Sequence, residues 1–67
     1  MNLDDLADEV DKKEIKRDSY IEIQLNNEEI YFGKYSDLGR GGGINLLNGD
    51  RWVFYESNQI KSLRRVE

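Results

Sequence analysis

Residues 20–55, YIEIQLNNEEIYFGKYSDLGRGGGINLLNGDRWVFY, decide the fold, because almost every large apolar side chain after position 18 lies in this stretch or directly behind it. From Tyr20 the chain alternates, with Ile21, Ile23 and Leu25 on one side and polar or aromatic residues on the other. A period of two is typical of an antiparallel strand that buries one face. The stretch therefore predicts a meander of strands.

Turn residues divide the rest of this region into further strands. Asn26 and Asn27 tolerate positive φ and predict a tight turn. Gly33 interrupts the second strand, and a glycine inside a strand marks a bulge or a sharp bend. Asn48-Gly49 predicts a type I′ hairpin. The strands predicted after the first one run over residues 29–38, 44–47, 51–55 and 60–66.

The first residues of the chain have the pattern of a helix instead. Asn2 is a good N-cap residue, and early aspartates favour the positive end of the helix dipole. We expect a helix from about Leu3 to Lys13, with a narrow apolar stripe that covers one open end of a small barrel. The stripe consists of Leu3, Leu6, Ala7 and Val10.

These elements predict a mainly β fold with an N-terminal helix and a five-stranded, strongly bent antiparallel barrel of SH3-like or Sm-like type. We divide the chain into residues 1–18, an amphipathic acidic helix with a charged connector, and residues 19–67, the small β-barrel.

Composition excludes several functions. The 67 residues contain no cysteine and no histidine, so disulfides, the common zinc sites and catalysis through Cys or His are excluded. No spacing pairs an acid with a base, and we therefore expect neither an enzyme nor a cofactor. A chain this short gains stability from association, which favours a homo-oligomer. The net charge is −4, and we expect a cytoplasmic protein with no membrane segment.

The glycine-rich segment Gly39–Gly43 is predicted to be a loop, since four glycines in five residues do not hold a regular element. Two interpretations stay open for it. The loop is either a nest of backbone N–H groups that binds an anion or RNA, or a connector that needs unusual φ values.

Between Ile21 and Val66 the sequence resembles the Sm/LSm family, which includes the Hfq-type host-factor RNA chaperones of bacteria. The first family motif is matched by IEIQLNNEEIYFGKYSDL, with Gly33 in the glycine position, and Ile44-Asn45-Leu46 stands where the family has Met-Asn-Leu. WVFYESNQIKSLRRV is similar to the second motif. The sequence departs from the family at Gly41, where an acid or histidine is usual, and at Tyr55-Glu56-Ser57, where Arg-Gly is usual.

The resemblance implies a homo-oligomeric ring that binds single-stranded RNA without catalysis. It places Asn45 in the base-contacting loop, where its amide would read a base edge and Tyr35 or Arg40 would stack nearby. The bases near the C-terminus would add a local positive patch. The predicted RNA-binding residues are Tyr35, Arg40, Asn45, Lys61, Arg64 and Arg65.

A second hypothesis needs no nucleic acid. A small acidic SH3-like barrel would act as a protein-interaction or inhibitor module, for example one encoded by a phage, and its acidic helix would dock on a protein partner. The predicted partner-binding residues are Asp4, Asp5, Asp8 and Glu9. For Trp52 and the tyrosines, packing and an exposed aromatic patch that binds bases or a protein both stay open.

Overall fold

The computed structural model describes residues 1–66, and Glu67, the last residue of the predicted barrel segment, lies outside the described residues. It confirms the predicted N-terminal helix and five antiparallel strands. Two short 3-10 turns connect strands, at Arg40–Gly42 and Ser57–Gln59. The helix and strands are α1 (Leu3–Lys12), β1 (Tyr20–Leu25), β2 (Ile30–Leu38), β3 (Gly43–Asn48), β4 (Arg51–Glu56) and β5 (Ile60–Arg65).

The five strands form one sheet in the order β4-β3-β2-β1-β5, with every neighbouring pair antiparallel. The sheet is strongly bent, as expected, but it does not close into a barrel, because β4 and β5 lie at its two edges and do not pair with each other. Each edge strand therefore has one row of backbone groups that no strand of the described chain pairs with. On β5 two carbonyls have other partners, because Ile60 accepts from the N-terminal amine and Leu63 accepts from the Lys13 side chain. None of the described helices is long and apolar enough to cross a membrane.

The bend separates an inner face, which holds the core, from an outer face. Ile21, Ile23, Ile44 and Leu46 are almost completely buried on the inner face. Gly33 lies opposite Ile21 in the register, and a Cβ there would lie 3.1 Å from the Cβ of Leu46. The glycine thus lets the inner face fold over itself at the predicted position, because no side chain fills the angle.

Helix α1 packs against the core with part of its predicted apolar stripe, since Leu3 is partly buried and Ala7 is exposed. Leu6 is fully buried and Val10 nearly so, and both belong to the same core as the sheet. The Asn2 side chain accepts a hydrogen bond from the Asp5 N–H at 2.7 Å, which satisfies one free donor of the first turn. Burial of two aliphatic side chains contributes about 1.5–3 kcal/mol each, so this contact is a main part of the stability of a small domain.

The connector between α1 and β1 is more than a charged linker, because Ile15 is buried in the core. It is also fixed to the sheet by two backbone hydrogen bonds, from the Asp18 N–H to the Tyr35 carbonyl and from the Tyr35 N–H to the Ser19 carbonyl, both 2.8 Å. These bonds place Arg17, the preceding residue, beside the second half of β2.

The β3–β4 hairpin differs from the predicted type I′ turn at Asn48-Gly49. Asn48 pairs with Arg51 in the register, so the two turn residues are Gly49 and Asp50. Of these two turn residues, Gly49 has a positive φ, 67°, and Asp50 does not. A type I′ turn needs positive φ at both central residues, whereas positive φ at the first alone is typical of type II′.

The start of β3 approaches β4 more closely than a side chain permits. Gly43 has extended backbone angles, but a Cβ there would collide with the carbonyl oxygen of Tyr55 and lie 2.9 Å from the Cα of Glu56. Neither atom can rotate away, because both belong to the backbone. Gly43 is therefore needed because there is no room for a side chain. Gly42 differs, since a side chain would have open space there but the backbone has a left-handed φ of 84°.

We predict that Gly43→Ala lowers the free energy of unfolding by about 3 kcal/mol, because β3 and β4 have to separate to admit the methyl group. Gly42→Ala is the matched control, since it introduces only left-handed strain of about 1 kcal/mol. Urea denaturation of both variants measures the difference. Equal losses in the two variants would contradict the close approach of β3 and β4.

Candidate functional site

The outer face of the sheet carries large apolar side chains that nothing in the described chain covers. They come from alternating positions of three strands, which is why they share one face. Trp52 is the most exposed and lies on the edge strand β4. The exposed fractions are 62% for Trp52, 49% for Ile30, 45% for Tyr20, 42% for Phe54 and 40% for Phe32.

The register places these residues on one face of the sheet, which we call the aromatic face (Tyr20, Ile30, Phe32, Trp52 and Phe54). Trp52 is opposite Leu47, Leu47 is opposite Lys34, and Lys34 is opposite Tyr20, so one row crosses four strands. The rings of Tyr20 and Phe32 stack at a centroid distance of 6.4 Å. The positively charged Lys34 thus lies on the same face as the aromatic residues, between Tyr20 and Trp52 in the register.

The glycine-rich segment supports this face from beside β4. A Cβ at Gly41 would lie 3.4 Å from the ring of Phe54, and one at Gly43 would lie 2.9 Å from it. The ring therefore lies against bare backbone, which keeps Phe54 close to the loop. Of the two interpretations that the sequence left open, the structure shows unusual φ values at Gly39, Gly41 and Gly42.

A shallow groove opens at the edge of the aromatic face where the glycine loop, the connector and β4 meet. Trp52 forms its apolar wall, and the connector contributes Arg17 while the loop contributes Arg40. The two arginines make no ion pair within 4 Å among residues 1–66. The groove is lined by Arg17, Ser36, Asp37, Arg40, Asn45 and Trp52.

A hydrogen-bonded pair forms the polar part of the groove. The Asn45 Nδ2 donates to Asp37 Oδ1 at 2.8 Å. Strict alternation along β2 would put Asp37 on the inner face with Tyr35, but a bulge between these two residues moves Asp37 to the outer face, opposite Asn45. An ionised carboxylate has only acceptors, so the amide nitrogen of Asn45 faces it and the amide oxygen stays available.

The predicted cations of β5 are occupied within the chain. Lys61 pairs with Glu28 at 2.6 Å, and Arg64 donates to Glu22 through two nitrogens at 2.7 and 3.0 Å. Arg65 donates to a backbone carbonyl at 3.2 Å. These three side chains lie on the far edge of the sheet from Trp52, so the structure does not bring them together with Asn45.

Tyr35 lies apart from Asn45 as well. It pairs with Leu46 on the inner face and packs against the core, whereas Asn45 points to the outer face. Burial raises the pKa of the Tyr35 phenol, and the negative charge of Asp37 adds to the shift. Of the six predicted RNA-binding residues, the structure therefore brings together Arg40 and Asn45.

The acidic residues predicted to bind a partner lie on α1, which covers the inner side of the sheet. Asp4, Asp5 and Asp8 are exposed. Glu9 pairs with Lys13 at 3.0 Å, and this hydrogen bond lowers the pKa of the Glu9 carboxyl. The acidic side chains of α1 thus lie beside β5, at the sheet edge opposite to β4 and Trp52.

Sequence reasoning did not name Phe32, Lys34 and Phe54 as candidate site residues, and it left Tyr20 and Trp52 open between packing and an exposed aromatic patch. Alternation had put Trp52 and Phe54 on one face and Val53 and Tyr55 on the other, which the register confirms. The sequence does not indicate which of the two sheet faces the helix covers, so it does not tell which side chains stay exposed. Among residues 1–66, no group of three or more Asp or Glu side chains has the arrangement of a metal site.

Comparison with known proteins identifies no relative of this chain. No family model matches the chain, and neither the curated proteins nor the solved structures contain a significant match. The resemblance to the Sm/LSm family therefore stays a prediction.

We predict that Asn45→Asp destabilises the protein by about 1–2 kcal/mol at neutral pH, because it sets a second carboxylate against Asp37. The repulsion requires both carboxylates to be ionised, so the loss is present at neutral pH and disappears in acid, where the carboxylates are protonated. Melting temperatures across the acidic range measure it. Asn58→Asp, at an exposed position of the β4–β5 turn, is the control. A loss that does not depend on pH would contradict the contact.

Proposed function

We propose that this protein binds single-stranded RNA without catalysis and holds the RNA on the aromatic face. The observation that carries the proposal is the exposure of four aromatic rings on one sheet face together with Lys34. Isolated exposed apolar side chains are common on protein surfaces, but a contiguous patch marks an interaction site.

Stacking gives such a face its affinity for a flexible single strand. Each base offers a flat π surface, and its stacking on an aromatic side chain contributes about 1–3 kcal/mol. Trp52 and Phe54 lie two residues apart on β4 and so point to the same side, while Tyr20 and Phe32 form a second, stacked pair. The face thus has two pairs of aromatic side chains on which bases can stack, and Lys34 lies between the two pairs in the register.

The distribution of charge supports the same face in spite of the net charge of −4. Lys34, Arg17 and Arg40 make no ion pair among residues 1–66, so they are available to neutralise phosphates. Asp5 and Asp8 of α1 lie beside β5, at the opposite sheet edge from β4 and Trp52, so they are far from the groove and repel RNA little there. Local charge governs the approach of a ligand more than the total does.

The open sheet also supports an Sm-like ring as the assembled form. In this proposal β4 of one copy pairs with the Arg65 end of β5 in the next, beyond the carbonyls of Ile60 and Leu63, which accept hydrogen bonds from the N-terminal amine and from Lys13. Repetition of a head-to-tail contact closes a ring when the rotation between copies permits it. A ring would place several aromatic faces along one RNA strand and raise the overall affinity through multivalency.

A second candidate is a protein-interaction module that docks through its acidic helix. The observation in its favour is that Asp4, Asp5 and Asp8 are exposed on one short helix and make no ion pair among residues 1–66. A stoichiometric complex with a protein that is lost when these three charges are reversed would support this candidate.

We predict that Trp52→Ala weakens the binding of a short labelled oligouridylate about tenfold, because one stacking partner is lost. Fluorescence anisotropy at low salt measures the affinity. Tyr31→Ala is the matched control, since Tyr31 is an exposed aromatic residue on the inner face, opposite Ile23. Equal effects of the two substitutions, or no binding by the unsubstituted protein, would contradict the proposal.

We predict that Arg65→Pro reduces the solution mass to that of a monomer. The Val66 N–H donates to Tyr20 on β1, and because N–H directions alternate along a strand, the Arg65 N–H points to the free edge. Proline removes this donor. Arg65→Ala loses the same side chain but keeps the N–H, and should stay oligomeric. Light scattering at micromolar concentration measures both. A monomeric unsubstituted protein would contradict the ring.

A further inference from the structure

We propose that the groove beside Trp52 selects guanine from a single-stranded RNA. This inference rests on the proposed RNA-binding function and adds the base that the face prefers. It follows from the hydrogen-bonding groups that the groove offers to a base stacked on Trp52.

Asp37 and Asn45 give the groove a surplus of acceptors. Asp37 uses Oδ1 to accept from Asn45, and its second oxygen has no protein donor among residues 1–66. The orientation of the Asn45 amide is fixed by that bond, which leaves its Oδ1 as a further acceptor. The site therefore presents two oxygen acceptors, one of them negatively charged, next to the wall formed by Trp52.

Guanine is the RNA base that complements these two acceptors, because its Watson–Crick edge has two adjacent hydrogen-bond donors. Its N1–H and N2–H groups point the same way on the Watson–Crick edge and can bind a carboxylate together. Uracil has one N–H between two carbonyl oxygens, which a carboxylate repels. Adenine and cytosine each combine an amino donor with a ring nitrogen acceptor, so each satisfies one acceptor and faces the other with a lone pair.

The remaining groups of the groove fit the rest of a nucleotide. Trp52 offers a stacking surface for the purine, which has a larger ring system than a pyrimidine. Arg17 and Arg40 come from the connector and the glycine loop, and their guanidinium groups suit the two phosphates that flank the base. Because Asp37 repels phosphate, its carboxylate favours the orientation in which the base, not the backbone, enters the groove.

Neighbouring structure holds the pair in place before RNA arrives. The bulge of β2 sets Asp37 opposite Asn45, and β3 carries Asn45 between the buried Ile44 and Leu46. Both backbone positions are therefore fixed by strand pairing and by the core. A preformed pair loses little side-chain entropy on binding, so the discrimination between bases is not offset by ordering of the site.

The test compares short oligouridylates that carry one central guanosine, adenosine or cytidine with the unsubstituted strand, by fluorescence anisotropy on the full chain. We expect the guanosine strand to bind about tenfold more tightly than the others, a discrimination of the size that a bidentate base contact gives. Asp37→Asn should bring the preference below about twofold and leave the affinity for oligouridylate the same or higher. Asp50→Asn, at an exposed turn position, should keep the preference.

The outcomes separate this inference from the proposed function. Binding of all four strands with equal affinity would overturn the guanine preference and leave the aromatic face as an RNA site. A guanosine preference that survives Asp37→Asn would overturn the assignment to this groove. Absence of binding to every strand would overturn both proposals. Melting curves of both variants verify that they are folded.

Discussion

A five-stranded sheet has two faces, and this chain has one helix with which to cover them. The helix contacts the inner face through Leu6 and Val10, and the connector adds Ile15 to the same core. Each of these side chains contributes about 1.5–3 kcal/mol through its burial, a large share of the stability expected for a domain of this size. The outer face has no such cover among the described residues, and its aromatic side chains stay exposed.

The geometry of the candidate site follows from how the sheet is built. Gly33 lets the sheet bend over its inner face, and Gly43 lets β3 approach β4 without a side chain between them. The bulge of β2 turns Asp37 outward to meet Asn45, while backbone hydrogen bonds at Tyr35 fix the connector that carries Arg17. Residues far apart in sequence thus line one groove because each is attached to a strand or to a segment held by a strand.

Local patterns in the sequence predict much of this fold. The period of two identifies β1 and assigns the alternating sides of β4, and Asn2 marks the start of α1. Closure of the sheet was not predictable, because pairing between edge strands depends on their separation in space. The exact turn residues, Gly49 and Asp50, depend on register, which a dipeptide signal alone does not determine.

The site was harder to predict for a related reason. Alternation tells which residues share a face but not which face the helix covers, so packing and exposure were both open for Trp52. Strict alternation also puts Asp37 beside Tyr35, and the bulge that moves it has no signal in the sequence. Ile15 was passed over because charged neighbours hide a single buried residue. The sequence did indicate Arg40 and Asn45 as candidates, through the glycine-rich segment and the resemblance to the Sm/LSm motif, and the structure places both in the groove.

The paired cations of β5 are one reason why we propose the RNA site on the outer face. Lys61 and Arg64 are neutralised by glutamates, whereas Lys34 on β2 and Arg17 on the connector make no ion pair among residues 1–66. Unpaired positive charge therefore lies near the exposed aromatic rings rather than on β5. This coincidence is the basis for placing RNA on the outer face.

The most direct measurement of that claim is the fluorescence of Trp52, the one tryptophan of the chain, during titration with single-stranded RNA. A base stacked on the indole should quench its emission in a saturable manner, and added salt should reverse the effect as phosphate contacts are lost. Emission that stays unchanged while anisotropy reports RNA binding would place the RNA elsewhere and contradict the account.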